Sequence, residues 1–262
     1  IGRTDQRAHQ FGVRLRRPQK HVGNSRVADE GIETDSDAVE LDEKSGATRP
    51  GDGAAHRLQA QPRLGLVAGG LGLGAVITHE GAAATGELGL DTALSHDRLS
   101  PLVSLAHGID VVIGPIVGPL LVAVVAALLF VRHRRAAVIF ALSTAGLWLA
   151  TSSLKLVFTR ARPPADQVHA LVHETARDSF PSGHTALAAA IVAGAFFAAR
   201  SLGRSTRLVL AIGIPFALIV AASRLYLGAH FLGDVTASLV FVTGFALVGA
   251  ALAPLVARRL DH

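Results

Sequence analysis

Residues 235–257 read VTASLVFVTGFALVGAALAPLVA, 23 residues without a charged side chain. At about 1.5 Å of rise per residue, such a run makes a helix that can cross the roughly 30 Å hydrocarbon core of a bilayer. A helix in a water-soluble bundle would carry a polar face. This stretch has none, and neither has Val111–Val131, 21 uncharged residues. The two stretches together imply an all-α fold that spans a membrane.

Working outward, Ala136–Leu154 gives another 19 uncharged residues, while Thr185–Ala199 and Leu208–Ser223 are shorter runs that extend past a flanking charge. Leu64–Thr78 is short and Gly-rich. The expected helices therefore lie at about 64–80, 111–131, 136–157, 184–200, 207–226 and 233–257, an integral membrane six-helix bundle. Gly81–Asp110 mixes apolar with charged residues and reads as an interfacial or loop segment; Phe158–Phe180 is polar, contains Pro and reads as a loop. The many small residues of Thr185–Ala199 imply close helix packing.

Residues 1–62 differ in kind. They are polar, basic up to Arg26 and acidic from Asp29 to Glu43, without apolar periodicity. Such a segment cannot bury enough surface to offset its ordering entropy. It reads as a disordered or non-native tail preceding a membrane domain at 63–262. The sequence contains no Met, so it is expected to be a fragment, a processed product or a reading begun upstream of the true start. It contains no Cys, which removes disulfides, thiolate nucleophiles and thiolate metal sites.

The tail holds 10 Lys/Arg and 10 Asp/Glu, so the entire net charge of +5 falls in the apolar part. There the cations flank apolar runs, and one Trp and one Tyr leave little for base stacking. Nucleic acid is therefore not an expected partner; the bilayer is. Arg132, Arg134 and Arg135, then Arg200, Arg204 and Arg207, then Arg258 and Arg259 all fall on one side of a six-helix arrangement, the cytoplasmic side by the positive-inside rule. Lys155, Arg160, Arg162, His184, Arg224, His230 and Asp234 fall on the other side, against that trend. Ionisable residues that oppose orientation in this way point to chemistry.

Three stretches carry that chemistry. Lys155-x6-Arg162-Pro163 supplies cations for an oxyanion such as phosphate, with Arg160 between them as a third. Pro181-Ser182-Gly183-His184 opens a helix, with Ser182 as an N-cap type and Gly183 allowing close approach to the backbone; free N–H groups there favour an anion. His184 at its rim could protonate a leaving oxygen. Ser223-Arg224-x5-His230-x3-Asp234 places a carboxylate one helical turn from an imidazole, where it can fix the tautomer and leave Nε2 free to attack. Together they fit phosphoryl transfer without a metal or other cofactor. His169 and His173 are four apart with Glu174 adjacent, a metal-compatible spacing, but no third ligand is evident and no metal is expected there.

These eleven fixed positions resemble the three-part signature of the type 2 phosphatidic acid phosphatase superfamily, over about residues 64–257 and not over the tail. The resemblance implies His230 as the nucleophile that forms a phosphohistidine and Asp234 as its orienting partner. It implies His184 as the general acid, with Lys155, Arg162, Ser182, Gly183 and Arg224 holding the phosphate. Soluble vanadate-dependent haloperoxidases resemble the same signature, but the apolar helices argue against them. The expected activity is hydrolysis of a lipid phosphate or diphosphate monoester at the outer face of a cell membrane. Alternatives are a lipid phosphotransferase or a catalytically silent lipid-binding or transport protein. Phosphatidic acid, phosphatidylglycerol phosphate and polyprenyl diphosphates such as undecaprenyl diphosphate all remain open as substrates, as does a homo-oligomeric state. Ala/Gly/Arg richness suggests a high-GC bacterium.

Overall fold

The computed structural model describes residues 52–174 and 178–260. Most of the stretch read as a tail, residues 1–51, lies outside the described residues, but helix α1 (Asp52–Ala84) begins inside its last part. Gly81, at φ 80° and ψ 161°, interrupts α1 where the sequence expectation ended that helix. A side chain with a Cβ is strained at that φ, so the glycine sets the break.

Two short helices follow where an interfacial or loop segment was expected: α2 (Glu87–His96) and α3 (Ser100–Val112). The physical reason is visible in α2. Its buried positions are Glu87, Asp91 and Ser95, at i, i+4 and i+8. The helix turns a polar face inward, so the usual apolar periodicity is absent.

The expected straight span at 111–131 is corrected. α3 and α4 (Val117–Arg132) meet at a bend of 64°. Gly114 and Pro115 lie in the break; proline has no N–H for the helix ladder and pushes the preceding residue out of the helical region. α5 (Arg134–Ser152) runs into a 3₁₀ turn at Ser153–Leu156, and α6 (Gly183–Ser201), α7 (Arg207–Tyr226) and α8 (Leu232–Leu260) complete the bundle. Five stretches are long and apolar enough to cross a bilayer, and the bent α3–α4 pair, counted as one broken span, makes six. The chain is a multi-pass membrane protein.

Packing follows residue size. Gly194 on α6 lies so close to α5 that an added Cβ would meet Thr144 Oγ1 at 2.1 Å. Thr144 Oγ1 in turn donates to the Ala190 carbonyl at 3.4 Å. The small residues of α6 thus serve helix approach, as expected. On the other side of the bundle Phe180 is fully buried, edge-on to both Phe158 and Phe241 at centroid distances of 5.2 and 6.2 Å. Outward, Leu128 is 70 % exposed and Val131 81 %. Apolar area on this scale belongs in contact with lipid rather than water.

Chain direction alternates so that α5 and α7 end, and α6 and α8 begin, at one end of the bundle. The cation clusters at Arg132–Arg135 and Arg200–Arg207 sit at the opposite end. Every motif residue falls at the first end.

Candidate active site

A cavity of about 250 Å³ opens at that end. Lys155 reaches it from the turn after α5, Arg162 and Glu174 from the following loop, Gly183 and His184 from the start of α6, and His230 from the α7–α8 connection. Ile113, Pro115, Trp148 and Leu187 form an apolar wall beside these groups. The bend between α3 and α4 supplies two of those four, so the break in the expected span shapes the site.

His230 is 2 % exposed, and its Nδ1 lies 3.4 Å from Asp234 Oδ2. That is ion-pair distance without hydrogen-bond alignment, and Nδ1 has no hydrogen-bond partner among the described residues. Oδ2 instead accepts the Phe231 N–H at 2.9 Å, at the N-terminus of α8 where a carboxylate also meets the helix dipole. On the opposite side of the ring, Nε2 lies 3.4 Å from Arg162 Nη1. In the Nδ1–H tautomer, Nε2 keeps its lone pair for a phosphorus atom in the cavity. Burial pushes the imidazole pKa down to about 4, against the pull of Asp234. The ring is therefore neutral at pH 7, the form a nucleophile requires.

His184 has a carboxylate of its own. Its Nε2 lies 3.2 Å from both the Asp110 side chain Oδ1 and the Asp110 carbonyl oxygen. Asp110, in the last turn of α3, also pairs with Arg224 Nη1, and Glu174 pairs with Arg224 Nη2. Burial opposes ionisation of Glu174, but Arg224 and Arg162 outweigh it and hold its carboxyl below the usual range. Asp110, Glu174 and His184 bring their ligand atoms within 4.8 Å of one another, a group that could hold a metal ion. The Arg224 guanidinium already bridges the two carboxylates as their cation. Of the trio His169, His173 and Glu174, only Glu174 reaches this place; both histidines are exposed.

The motif residues therefore divide into two layers. Lys155, Arg162, Gly183, His184 and His230 line the cavity. Ser182, Arg224 and Asp234 are fully buried behind it. Ser182 stands at the N-cap position of α6, but its side chain makes no cap bond; its Oγ accepts from Thr185 Oγ1 at 3.1 Å. Lys155 Nζ donates to the Asp178 carbonyl at 2.7 Å, and Arg162 Nη1 to the Ala229 carbonyl at 2.9 Å. These bonds hold both cations at the rim. Arg160, expected to face phosphate, is instead 5 % exposed and binds Glu87 and Asp234. The sequence reading missed Glu87, Asp110 and Glu174 as partners of the site. None of the three belongs to the three motif stretches, and Glu174 reads in the sequence only as a neighbour of His169 and His173.

Residues 136–257 match the model of the PAP2 superfamily. The fold resembles a crystal structure described as the first transmembrane PAP2-type phosphatidylglycerolphosphate phosphatase, from Bacillus subtilis. That match has 25 % identity and a TM-score of 0.61, covering 72 % of this chain and 94 % of the other. Curated protein sequences give no match. Residues 136–257 are thus similar to the PAP2 superfamily, and the all-helical membrane fold resembles that of a membrane phosphatase of that class.

Proposed function

We propose that the protein hydrolyses a lipid phosphate or diphosphate monoester through a phosphohistidine, at the extracytoplasmic face of the membrane. The observation that carries this reading is the cavity where Lys155, Arg162, His184 and His230 meet beside an apolar wall. Two cations neutralise the phosphate, and the wall accepts the first carbons of a lipid alcohol, which a free phosphate ester would not need. His230 Nε2 attacks phosphorus. The bond from phosphorus to the lipid oxygen breaks, and His184 donates a proton to that oxygen. Water then attacks the phosphohistidine, His184 takes its proton, and inorganic phosphate leaves. Asp234 behind Nδ1 stabilises the imidazolium character that develops in both steps. Arg224 holds the two carboxylates that frame the phosphate side, and Ser182 and Gly183 present the α6 N-terminus to it.

Release of inorganic phosphate by purified protein in detergent, from short-chain phosphatidic acid, phosphatidylglycerol phosphate and a polyprenyl diphosphate, tests this reading. Turnover of at least one is expected without an added acceptor and in excess EDTA, because cations and histidines take the roles of charge neutraliser and leaving-group acid. Activity lost in EDTA and restored by a divalent ion would assign the Asp110, Glu174 and His184 group to a metal. Phosphate appearing only on an acceptor alcohol would make the protein a phosphotransferase.

The orientation follows from the cation clusters at the end opposite the cavity. Single cysteines replacing Arg134 and Gln167, both exposed, are expected to react from opposite sides of intact cells, Gln167→Cys with an impermeant maleimide added outside. Labelling of both from one side would overturn the topology.

A further inference from the structure

We propose that Glu87 and Arg160 are positioning residues for the Asp234–His230 pair, so that helix α2, outside the family-matched residues, forms part of the catalytic machinery. The inference rests on the proposed phosphatase reading. Arg160 is a fork between two acids. Its Nη1 donates to Asp234 Oδ1 at 2.6 Å, its Nη2 pairs with Glu87 Oε2, and its guanidinium lies 4.5 Å from the centre of the Phe231 ring. Glu87 is itself held on both oxygens: Oε2 accepts from Thr85 Oγ1 at 2.8 Å, and Oε1 from the Gly233 N–H at 2.5 Å. A Cβ at Gly233 would come within 2.7 Å of that Oε1, so the close approach requires glycine. Glu87, Arg160 and Asp234 are all buried.

Two consequences follow for His230. With Oδ1 occupied by Arg160, the Asp234 carboxylate is turned to present Oδ2 to Nδ1. The second consequence is charge. Arg160 alone would neutralise Asp234, but with Glu87 the trio keeps one net negative charge behind an imidazole that must become positive during attack. A buried ion network costs more in desolvation than an apolar contact of equal volume, and here its far end is the nucleophile's partner.

The other ionisable groups around His230 are Arg162 and Glu174 from the loop, Arg224 at the end of α7, His184 at the start of α6 and Lys155 after α5. Asp91, one turn after Glu87, is buried, and neither carboxylate oxygen has a hydrogen-bond partner among the described residues. Burial, then the negative charges of Asp234 and Glu87, raises its pKa to about 7. It is therefore neutral over the acid range in which His230 titrates.

The test is kcat/KM against pH for the full chain in detergent, with dioctanoyl phosphatidic acid as the probe. The substrate's own ionisation is common to all variants, so differences between profiles report the enzyme. Glu87→Gln leaves Arg160 and Asp234 as a neutral pair, removes the net negative charge behind His230 and should move the acid limb to lower pH. Arg160→Gln leaves two acids behind His230 and should move it to higher pH, each by about half to one pH unit. The double variant should return near the wild-type limb. In Arg160→Gln kcat should fall roughly ten- to a hundredfold with KM little changed, as expected for a misplaced catalytic group. Arg160→Lys, which keeps the charge without the fork, should restore the limb but only part of kcat. Should one single variant fail to fold, the direction in which the other moves the limb still decides. Acid limbs that do not move, or that move the same way in both single variants, reduce the network to a structural staple and overturn the inference. A wild-type chain that releases no phosphate from phosphatidic acid, phosphatidylglycerol phosphate or a polyprenyl diphosphate removes the phosphatase reading and this inference with it. An active wild type, a dead His230→Ala and unshifted limbs remove this inference alone.

Discussion

His230→Ala is expected to lower kcat by about 10⁴-fold or more, the scale on which removal of a covalent nucleophile acts. The fold should survive, because Nδ1 has no hydrogen-bond partner among the described residues, and Arg162, 3.4 Å from Nε2, keeps its bond to the Ala229 carbonyl. Nε2 sits at the cavity beside Arg162, and Asp234 lies behind the other ring nitrogen. Asp234→Asn should be milder. It keeps the acceptor geometry toward Phe231 but loses the charge that stabilises an imidazolium, and it leaves Arg160 with Glu87 alone. Phosphate release under single-turnover conditions separates the two variants, since both should bind substrate while only Asp234→Asn retains a slow first step. Wild-type turnover in His230→Ala would leave the account without a nucleophile.

The largest effect on stability is expected at Arg224→Ala. Arg224 is fully buried, and its two terminal nitrogens hold Asp110 and Glu174. Removing one member of a buried charge network costs about 3–5 kcal/mol, because the remaining charges lose their compensation. At about 2–4 °C per kcal/mol for a chain of this size, the thermal midpoint in detergent should fall by roughly 6–20 °C. Activity should fall with it, since Asp110 is also the group that faces His184 Nε2. Arg224→Lys should recover only part of either quantity: an ammonium is one point of charge and cannot present a planar fork to two carboxylates. A midpoint for Arg224→Ala within a degree of wild type would show that the Asp110–Arg224–Glu174 bridge does not hold the site together.

The contrast between α8 and α2 explains how far the fold could be read in advance. α8 advertises itself because a lipid-facing helix must be apolar on all sides, and hydropathy measures that directly. α2 buries Glu87, Asp91 and Ser95, so its inward face looks like a solvated one. The straight span read at 111–131 failed for a related reason. Hydropathy sums side chains and does not register that Gly114 and Pro115 break the backbone ladder. Within the site, spacing located both histidines and the cavity-facing cations. Spacing could not locate Asp110 or Glu174, which come from separate segments and meet only through Arg224. It also misassigned Arg160. Counted along the chain Arg160 is two residues from a cavity-lining cation, but its side chain turns inward to Asp234.

The central claim is that His230 carries the phosphoryl group and His184 serves the leaving oxygen. Trapping of the phosphoenzyme from ³²P-labelled lipid phosphate, quenched at alkaline pH, tests it most directly. The account predicts an acid-labile, base-stable label on the wild-type chain and none on His230→Ala. For His184→Ala it predicts slow labelling from a lipid ester, and faster labelling from a diphosphate, whose better leaving group needs less proton transfer. A label that persists in His230→Ala and vanishes in His184→Ala would contradict the account by exchanging the roles of the two histidines.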